Sequence, residues 1–380
     1  MLREYVKKAA SSDPSNSMYA YTYATLLQDK KKRDSLLVEI AWRFPLKPEG
    51  VLALEALADN TSGDECSVYY TILYERWLFY KAGTISSQSA EYYEGAMASY
   101  FNQLIRSNTI KAYELALRMT LEVKKNRHRW RHKLEVSQGL AEGEKLMNQK
   151  NYKDALEVLG KIRVKSSYYD NYVPIGEKIE LLKARAADAL GLISVAYDSL
   201  RVFYCNEPSD SVYAALNFYG TKLGKDSVEV HRDLLRSLTV NKEAATDFTL
   251  EKYDTKEKIT LSTLKGHVVF LTYWFPGCPP CQREFPHFEN VIRKFKDQGV
   301  IYLGINGIRS EDEYVLPFMK NQGYSFIPLK ETANRDKGNL PAYSYPTNYL
   351  IDKEGRVIYQ NFRIDKYNES MLEQMILSLL

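Results

Sequence analysis

The residues best suited to chemistry are Cys278 and Cys281, separated by Pro279 and Pro280. Cysteines at this spacing close into a disulfide or supply half of a zinc site. Zinc needs two more Cys or His ligands at local spacing; His287 is near, but no second pair follows it. Upstream, His267–Phe275 is rich in Val, Phe, Leu and Tyr and reads as a buried strand. A helix follows to about Lys296, so Cys278 falls at its N-cap. There, free backbone N–H groups and the helix dipole stabilise a thiolate and lower its pKa. Cys281, one turn on, is placed to resolve a mixed disulfide. Pro279 costs no helical hydrogen bond in the first turn. Together the two prolines leave the thiolate few backbone donors.

The elements around this pair have strand and helix character. Asp247-Phe248-Thr249-Leu250 and Ile259-Thr260-Leu261 read as a short hairpin, and Val300–Ile305 as a strand. A helix is expected at Glu311–Asn321, then an irregular loop through Pro341. Thr347–Ile351 and Arg356–Asn361 read as strands around the turn Asp352-Lys353-Glu354-Gly355, and Tyr367–Leu380 as a closing helix. Strands alternating with helices imply an α/β sheet with parallel pairs.

The region before residue 240 is different. Apolar residues recur at three and four spacings in Asp64–Tyr80, Ser89–Ile105, Ile110–Val123 and Ile179–Leu190, and no strand pattern emerges. Breaks fall at Pro45, Pro48, Gly63, Gly83 and Asn206-Glu207-Pro208. The expected class is α + α/β: a helical domain over 1–240, then a second domain over 245–380. Gly143, Leu146, Tyr152, Ala155, Leu159 and Ile162 weakly resemble a tetratricopeptide helix pair. Ala184, Ala187, Ala196, Leu200, Phe203 and Pro208 make a second copy, offset by 41 residues. A helical bundle is the alternative.

The C-terminal segment resembles the TlpA-like branch of the thioredoxin superfamily. The likeness is carried by Asp247–Leu250, Leu264-Lys265-Gly266, Val268–Trp274, Cys278-Pro279-Pro280-Cys281 with Glu284 and Pro286, and Tyr345–Asp352. It implies a thioredoxin fold and disulfide exchange with protein partners. It also implies a cis-proline at Pro346 facing the cysteines, with Tyr345 and Thr347 helping to position substrate backbone. Trp274 is expected beneath the site and Pro286 to kink the active-site helix.

Two departures from that pattern stand out. Many thioredoxins carry a buried acid where this chain has Thr272, which cannot accept the Cys281 proton. Glu284 is either a substitute or a solvent-facing residue. Phe275-Pro276-Gly277 replaces the aromatic that commonly precedes the first cysteine, and Gly277 is expected to open the surface around Cys278.

At 380 residues the chain is long enough for two or three domains. A net charge of +4 argues against a dedicated nucleic-acid binder. The basic run Lys124–Lys133 reads as a solvated helical face. Cys66 and Cys205 read as core cysteines, with a disulfide between them as the alternative, and the thirty tyrosines as core and groove lining. The loop Glu331–Ser344, with Asn334, Asp336, Gly338, Asn339 and Pro341, is expected to border the site.

The expected activity is thiol–disulfide exchange through Cys278 and Cys281, as a reductase in preference to an oxidant, without an added cofactor or metal. Partners are protein thiols or disulfides and an upstream electron donor or acceptor. The alternative is a helical scaffold with a redox-sensing or vestigial second domain. No secretion signal or membrane-spanning run is visible. The family likeness nevertheless implies an extracytoplasmic, periplasmic setting with the signal or anchor outside this chain. A cytoplasmic setting is the alternative.

Overall fold

The computed structural model describes residues 2–27, 29–59, 61, 64–80, 87–123, 126–164, 175–365 and 368–380. Its contacts divide the chain into two compact units, Met1–Ala141 with Ile162–Val173, and Glu142–Lys161 with Pro174–Leu380.

The first unit holds helices α1 (Leu2–Ser12), α2 (Ser17–Thr25), α3 (Lys30–Arg43), α4 (Pro48–Asp59), α5 (Asp64–Tyr80), α6 (Ser87–Ser107), α7 (Thr109–Glu122) and the start of α8 (Arg127–Asn148). Polar side chains close the helix ends. Asn16, Asp29 and Asn108 each accept a backbone N–H in the first turn, which satisfies a donor the helix itself leaves unpaired. Within the basic run the arginines at 127, 129 and 131 are exposed, as expected of a solvated face. Lys133 departs from that expectation. It is buried, with its ammonium 5.0 Å from the centre of the Phe101 ring, a cation–π contact that offsets its desolvation. Lys124 and Lys125 lie outside the described residues.

The second unit opens with the end of α8 and α9 (Tyr152–Lys161), then α10 (Ile175–Ala189), α11 (Ile193–Asn206), α12 (Asp210–Lys222) and α13 (Ser227–Thr239). Gly143 lets α8 and α9 approach closely, because a β-carbon there would strike the Leu159 side chain. Ala184, Ala187, Ala196 and Leu200 pack α10 on α11 in one apolar cluster. Cys66 and Cys205 are not paired in a disulfide; burial pushes the Cys205 thiol up to about 11.

The rest of this unit is a sheet with helices. In chain order come β1 (Thr249–Lys252), β2 (Lys258–Thr260), β3 (Val268–Trp274), α14 (Pro279–Ile292), β4 (Val300–Asn306), α15 (Asp312–Gln322), β5 (Ile327–Lys330), β6 (Thr347–Ile351), β7 (Val357–Gln360) and α16 (Glu369–Leu377). The sheet runs β2-β1-β5-β4-β3-β6-β7. The β3·β4 and β4·β5 pairs are parallel and the others antiparallel. Strand β5 corrects the expected irregular loop. Its Pro328 lacks a ladder donor, but the β1 pairing stops at Leu329 and the Pro328 carbonyl accepts from Tyr253 N.

Helices and sheet of this unit are tied directly. Tyr204 donates to Gln374 Oε1 at 2.8 Å and Gln374 Nε2 donates to Asp210 Oδ1 at 2.7 Å, joining α11 and α12 to α16. Lys242 Nζ donates to the Ile358 carbonyl at 2.9 Å.

Every residue of β3 is buried, and alternation sends its side chains into two cores. Val269, Leu271 and Tyr273 join Phe248, Leu303, Ile305 and Tyr349 on one face. On the other, Phe270 stacks on Tyr302 and meets Phe288 of α14 edge-on, and Trp274 meets Phe285 and Phe326 edge-on. Gly304, opposite Thr272 in the ladder, leaves room for Phe326 to reach Trp274. A methyl at this position runs into the Phe326 ring and Trp274 Nε1. Gly304→Ala is therefore expected to lower stability by about 1–3 kcal/mol, read as a lower urea midpoint at unchanged slope. An unchanged midpoint would show that Phe326 shifts aside at no cost.

Candidate active site

Strand β3 ends at Trp274, and four residues later Cys278 caps α14 in extended conformation. Cys278 forms a disulfide with Cys281, with α-carbons 5.3 Å apart. The Cys281 amide donates to Cys278 Sγ at 3.2 Å, so one donor remains for this sulfur although Pro279 and Pro280 supply none. Pro279 and Pro280 fill the first helical positions, and Pro286 lies inside the helix, which continues to Ile292.

Pairing of β3 with β6 brings the second half of the site into place. Tyr273 lies opposite Thr347 and Thr272 opposite Asn348. The Tyr345–Pro346 bond, just before β6, is cis. Thr347 Oγ1 donates to the Ser344 carbonyl at 2.6 Å, closing the turn. The Tyr345 ring stands perpendicular to Phe275, 5.3 Å between centres, and its hydroxyl donates to the Gly307 carbonyl at 3.2 Å. Gly307 N in turn donates to the Trp274 carbonyl at 2.8 Å. The segments carrying Phe275, Gly307 and Tyr345 are thus cross-tied.

Gly277 is exposed, yet Cys278 is only 1% exposed in the disulfide form. The open surface expected around Cys278 is therefore not present. Gly277 instead makes room for a residue the sequence reading passed over: Glu311 Oε2 accepts from Gly277 N at 2.6 Å. A β-carbon at 277 would lie 2.9 and 3.0 Å from the two Glu311 oxygens. Nothing local marks this pair, because 34 residues separate its members.

Of the two expectations for Glu284, the structure excludes the solvent-facing one: the residue is 8% exposed. It lies three residues after Cys281, so the two share a face of α14. Asn348 Nδ2 donates to Glu284 Oε2 at 3.0 Å and to the Phe362 carbonyl at 2.9 Å, while Thr272 donates to Asn348 Oδ1 at 2.8 Å. Arg363 Nη1 reaches Glu284 Oε1 at 3.5 Å. Burial pushes the Glu284 carboxyl up to about 7, against the pull of Arg363 and of the Asn348 hydrogen bond. Thr272, barren as a proton acceptor, holds the amide that holds the acid.

His287 is engaged by Glu369, 2.6 Å from Nδ1. The 331–344 loop is anchored, with Arg335 Nη2 donating to the Tyr273 hydroxyl at 2.8 Å and Asn339 Nδ2 donating to the Ala244 carbonyl at 2.8 Å.

A carboxyl whose folded pKa exceeds its unfolded value leaves the native chain holding more protons than the unfolded chain between the two. Stability therefore falls as pH rises from about 4.5 through about 7, and stays lower above that. Glu284→Gln removes the ionisation and keeps an acceptor for Asn348. At pH 8 it is expected to be more stable than the parent by on the order of 1–3 kcal/mol, with the difference fading toward pH 4.5. Urea titrations at both pH values check this; a gain equal at both contradicts it.

Residues 241–360 match the AhpC/TSA family. Thiol-disulfide oxidoreductase ResA of Bacillus subtilis (strain 168) is 39% identical over 117 residues, 30% of this chain and 63% of that protein. ResA of Halalkalibacterium halodurans is 34% identical over 145 residues, 37% of this chain and 76% of that one. The thioredoxin domain of a thiol-disulfide oxidoreductase from Bacteroides vulgatus is 22% identical with a TM-score of 0.31, covering 36% of this chain and 96% of that one. The chain thus spans a little under two thirds of the Bacillus subtilis relative. With the paired cysteines at a strand-to-helix junction in a thioredoxin-like sheet, the chain belongs to the ResA/TlpA-like family of thiol–disulfide oxidoreductases.

Proposed function

We propose that the chain exchanges disulfides with protein partners, with Cys278 attacking and Cys281 resolving. The observation that carries this is Cys278 at the N-cap of α14, its sulfur accepting the Cys281 amide. In the reductase direction the Cys278 thiolate attacks one partner sulfur. The partner's S–S bond breaks and its other sulfur leaves as a thiolate that takes a proton from solvent. Cys281, deprotonated, then attacks Cys278, releasing the reduced partner and leaving the enzyme disulfide. Two electrons pass from enzyme dithiol to partner, and an upstream donor restores the dithiol. A measured potential near roughly −270 mV assigns this direction, and one near roughly −120 mV the reverse.

Glu284 supplies the base for Cys281 in this reading, since its carboxyl titrates near neutrality on the same face of the same helix. The cis bond turns the Tyr345 backbone toward the partner, with Thr347 closing the turn. Trp274, Pro279 and Pro280 shape the surrounding wall, and Gly277 admits Glu311. Tyr343, 95% exposed two residues before the cis bond, adds an aromatic contact for a partner.

We take residues 245–380 as the exchange domain and 1–240 as a helical domain that presents partners, with α8–α11 as tetratricopeptide-like pairs. No cofactor beyond the dithiol and no nucleic acid enters this reading. We take the setting as extracytoplasmic, periplasmic, on the likeness to TlpA-like proteins.

Cys281→Ser is expected to accumulate mixed disulfides through Cys278 that dissolve in dithiothreitol, while Cys278→Ser traps none. Non-reducing gels of both variants after incubation with a disulfide-bonded protein such as insulin decide it. Equal trapping by the two variants, or equal insulin reduction by Cys278→Ser and parent, sinks the assignment. A scaffold with a vestigial pair would keep its partners in reductant and trap nothing.

A further inference from the structure

The turn from Gly307 to Glu311 is held by two contacts to the segment leading to Cys278 and a third to Tyr345. Gly307 N donates to the Trp274 carbonyl at 2.8 Å, Tyr345 donates to the Gly307 carbonyl at 3.2 Å, and Glu311 Oε2 accepts from Gly277 N at 2.6 Å. The Glu311 carboxylate is therefore held in one place, one residue ahead of Cys278. No cation among the described residues pairs with Glu311, which is partly exposed beside an exposed Gly277. Its neighbour Asp312 is neutralised by Lys330 at 2.9 Å. Arg309 of this turn and Glu313 at the start of α15 both stand in solvent, so with Asp312 neutralised the segment 309–313 keeps a net negative charge.

We propose that Glu311 sets which partner disulfides Cys278 accepts, favouring those with lysine or arginine next to the partner cysteine. This rests on the exchange reading above. A partner must bring its sulfur to Cys278 along the Tyr345 backbone, and residues flanking its cysteine then pass the Gly277 peptide and the carboxylate held there. A fixed charge at that edge acts on the flanking side chain at short range and in a surface shielded on one side. Gly277 is part of the same device, because any side chain at 277 would displace the carboxylate.

The test uses the full chain, reduced, and three peptide disulfides identical except for Lys, Ser or Glu beside the cysteine. The parent is expected to show at least a fivefold higher kcat/KM for the Lys peptide than for the Glu peptide at low ionic strength, shrinking with added salt and expressed mainly in KM. Glu311→Gln retains an acceptor for Gly277 N and should bring the ratio below twofold. Glu313→Gln removes an exposed charge from the first turn of the adjoining α15 and should leave the ratio as in the parent. Glu311→Ala loses acceptor and charge together, and slower exchange on all three peptides that Gln restores marks the positioning contact. The proposal is overturned if the parent shows no preference, if Glu311→Gln keeps it, or if Glu313→Gln abolishes it equally. A parent that exchanges none of the peptides overturns the exchange reading, and this proposal with it.

Discussion

The antiparallel register of β3 against β6 is the constraint on which the site depends. It sets Thr272 opposite Asn348 and Tyr273 opposite Thr347. The chain leaving β3 must therefore meet the chain entering β6, and Cys278 and the cis Tyr345–Pro346 bond come to the same edge of the sheet. A slip of one residue would turn Phe270 and Trp274 into the core now filled by Leu271 and Tyr273. With β3 buried on both faces, that exchange has no room, and the register is held by the two cores together.

The same register relocates the buried acid. Where a strand carboxylate would serve in many thioredoxins, Thr272 donates to Asn348, and Asn348 donates to Glu284 on the facing helix. The acid lies on α14, three residues after Cys281, instead of on the strand. A buried amide linking a hydroxyl to a carboxyl gives each polar group a partner, so the cost of burying them is largely offset. What remains uncompensated appears as the upward pull on the Glu284 carboxyl.

The sequence made legible what is written locally. The β3 run is apolar apart from Thr272, Cys278 follows it at a helix start, and the Asp352–Gly355 turn separates two strands. Pro346 was readable only through family likeness, because a proline before a strand does not state its isomer. Strand β5 escaped because four residues containing Pro328 lack both the length and the donors of a strand pattern; its place comes from β4 and β1 on either side. Glu284 was ambiguous because its burial depends on Asn348 and Phe362, far along the chain. Glu311 was unreadable for the same reason. In both cases the partner that fixes the polar side chain lies far along the chain, so nothing local marks it.

The central claim is that Cys278 is the attacking sulfur, activated by the N-terminus of α14, and Cys281 the resolving partner. Rate-limited alkylation of the reduced chain by iodoacetamide across pH, with modified sites located by mass spectrometry, tests it most directly. The account predicts that Cys278 is modified first, with a midpoint below the value of about 8.5 for a free cysteine. Prior modification of Cys281, or equal rates with both midpoints at or above that value, would contradict it.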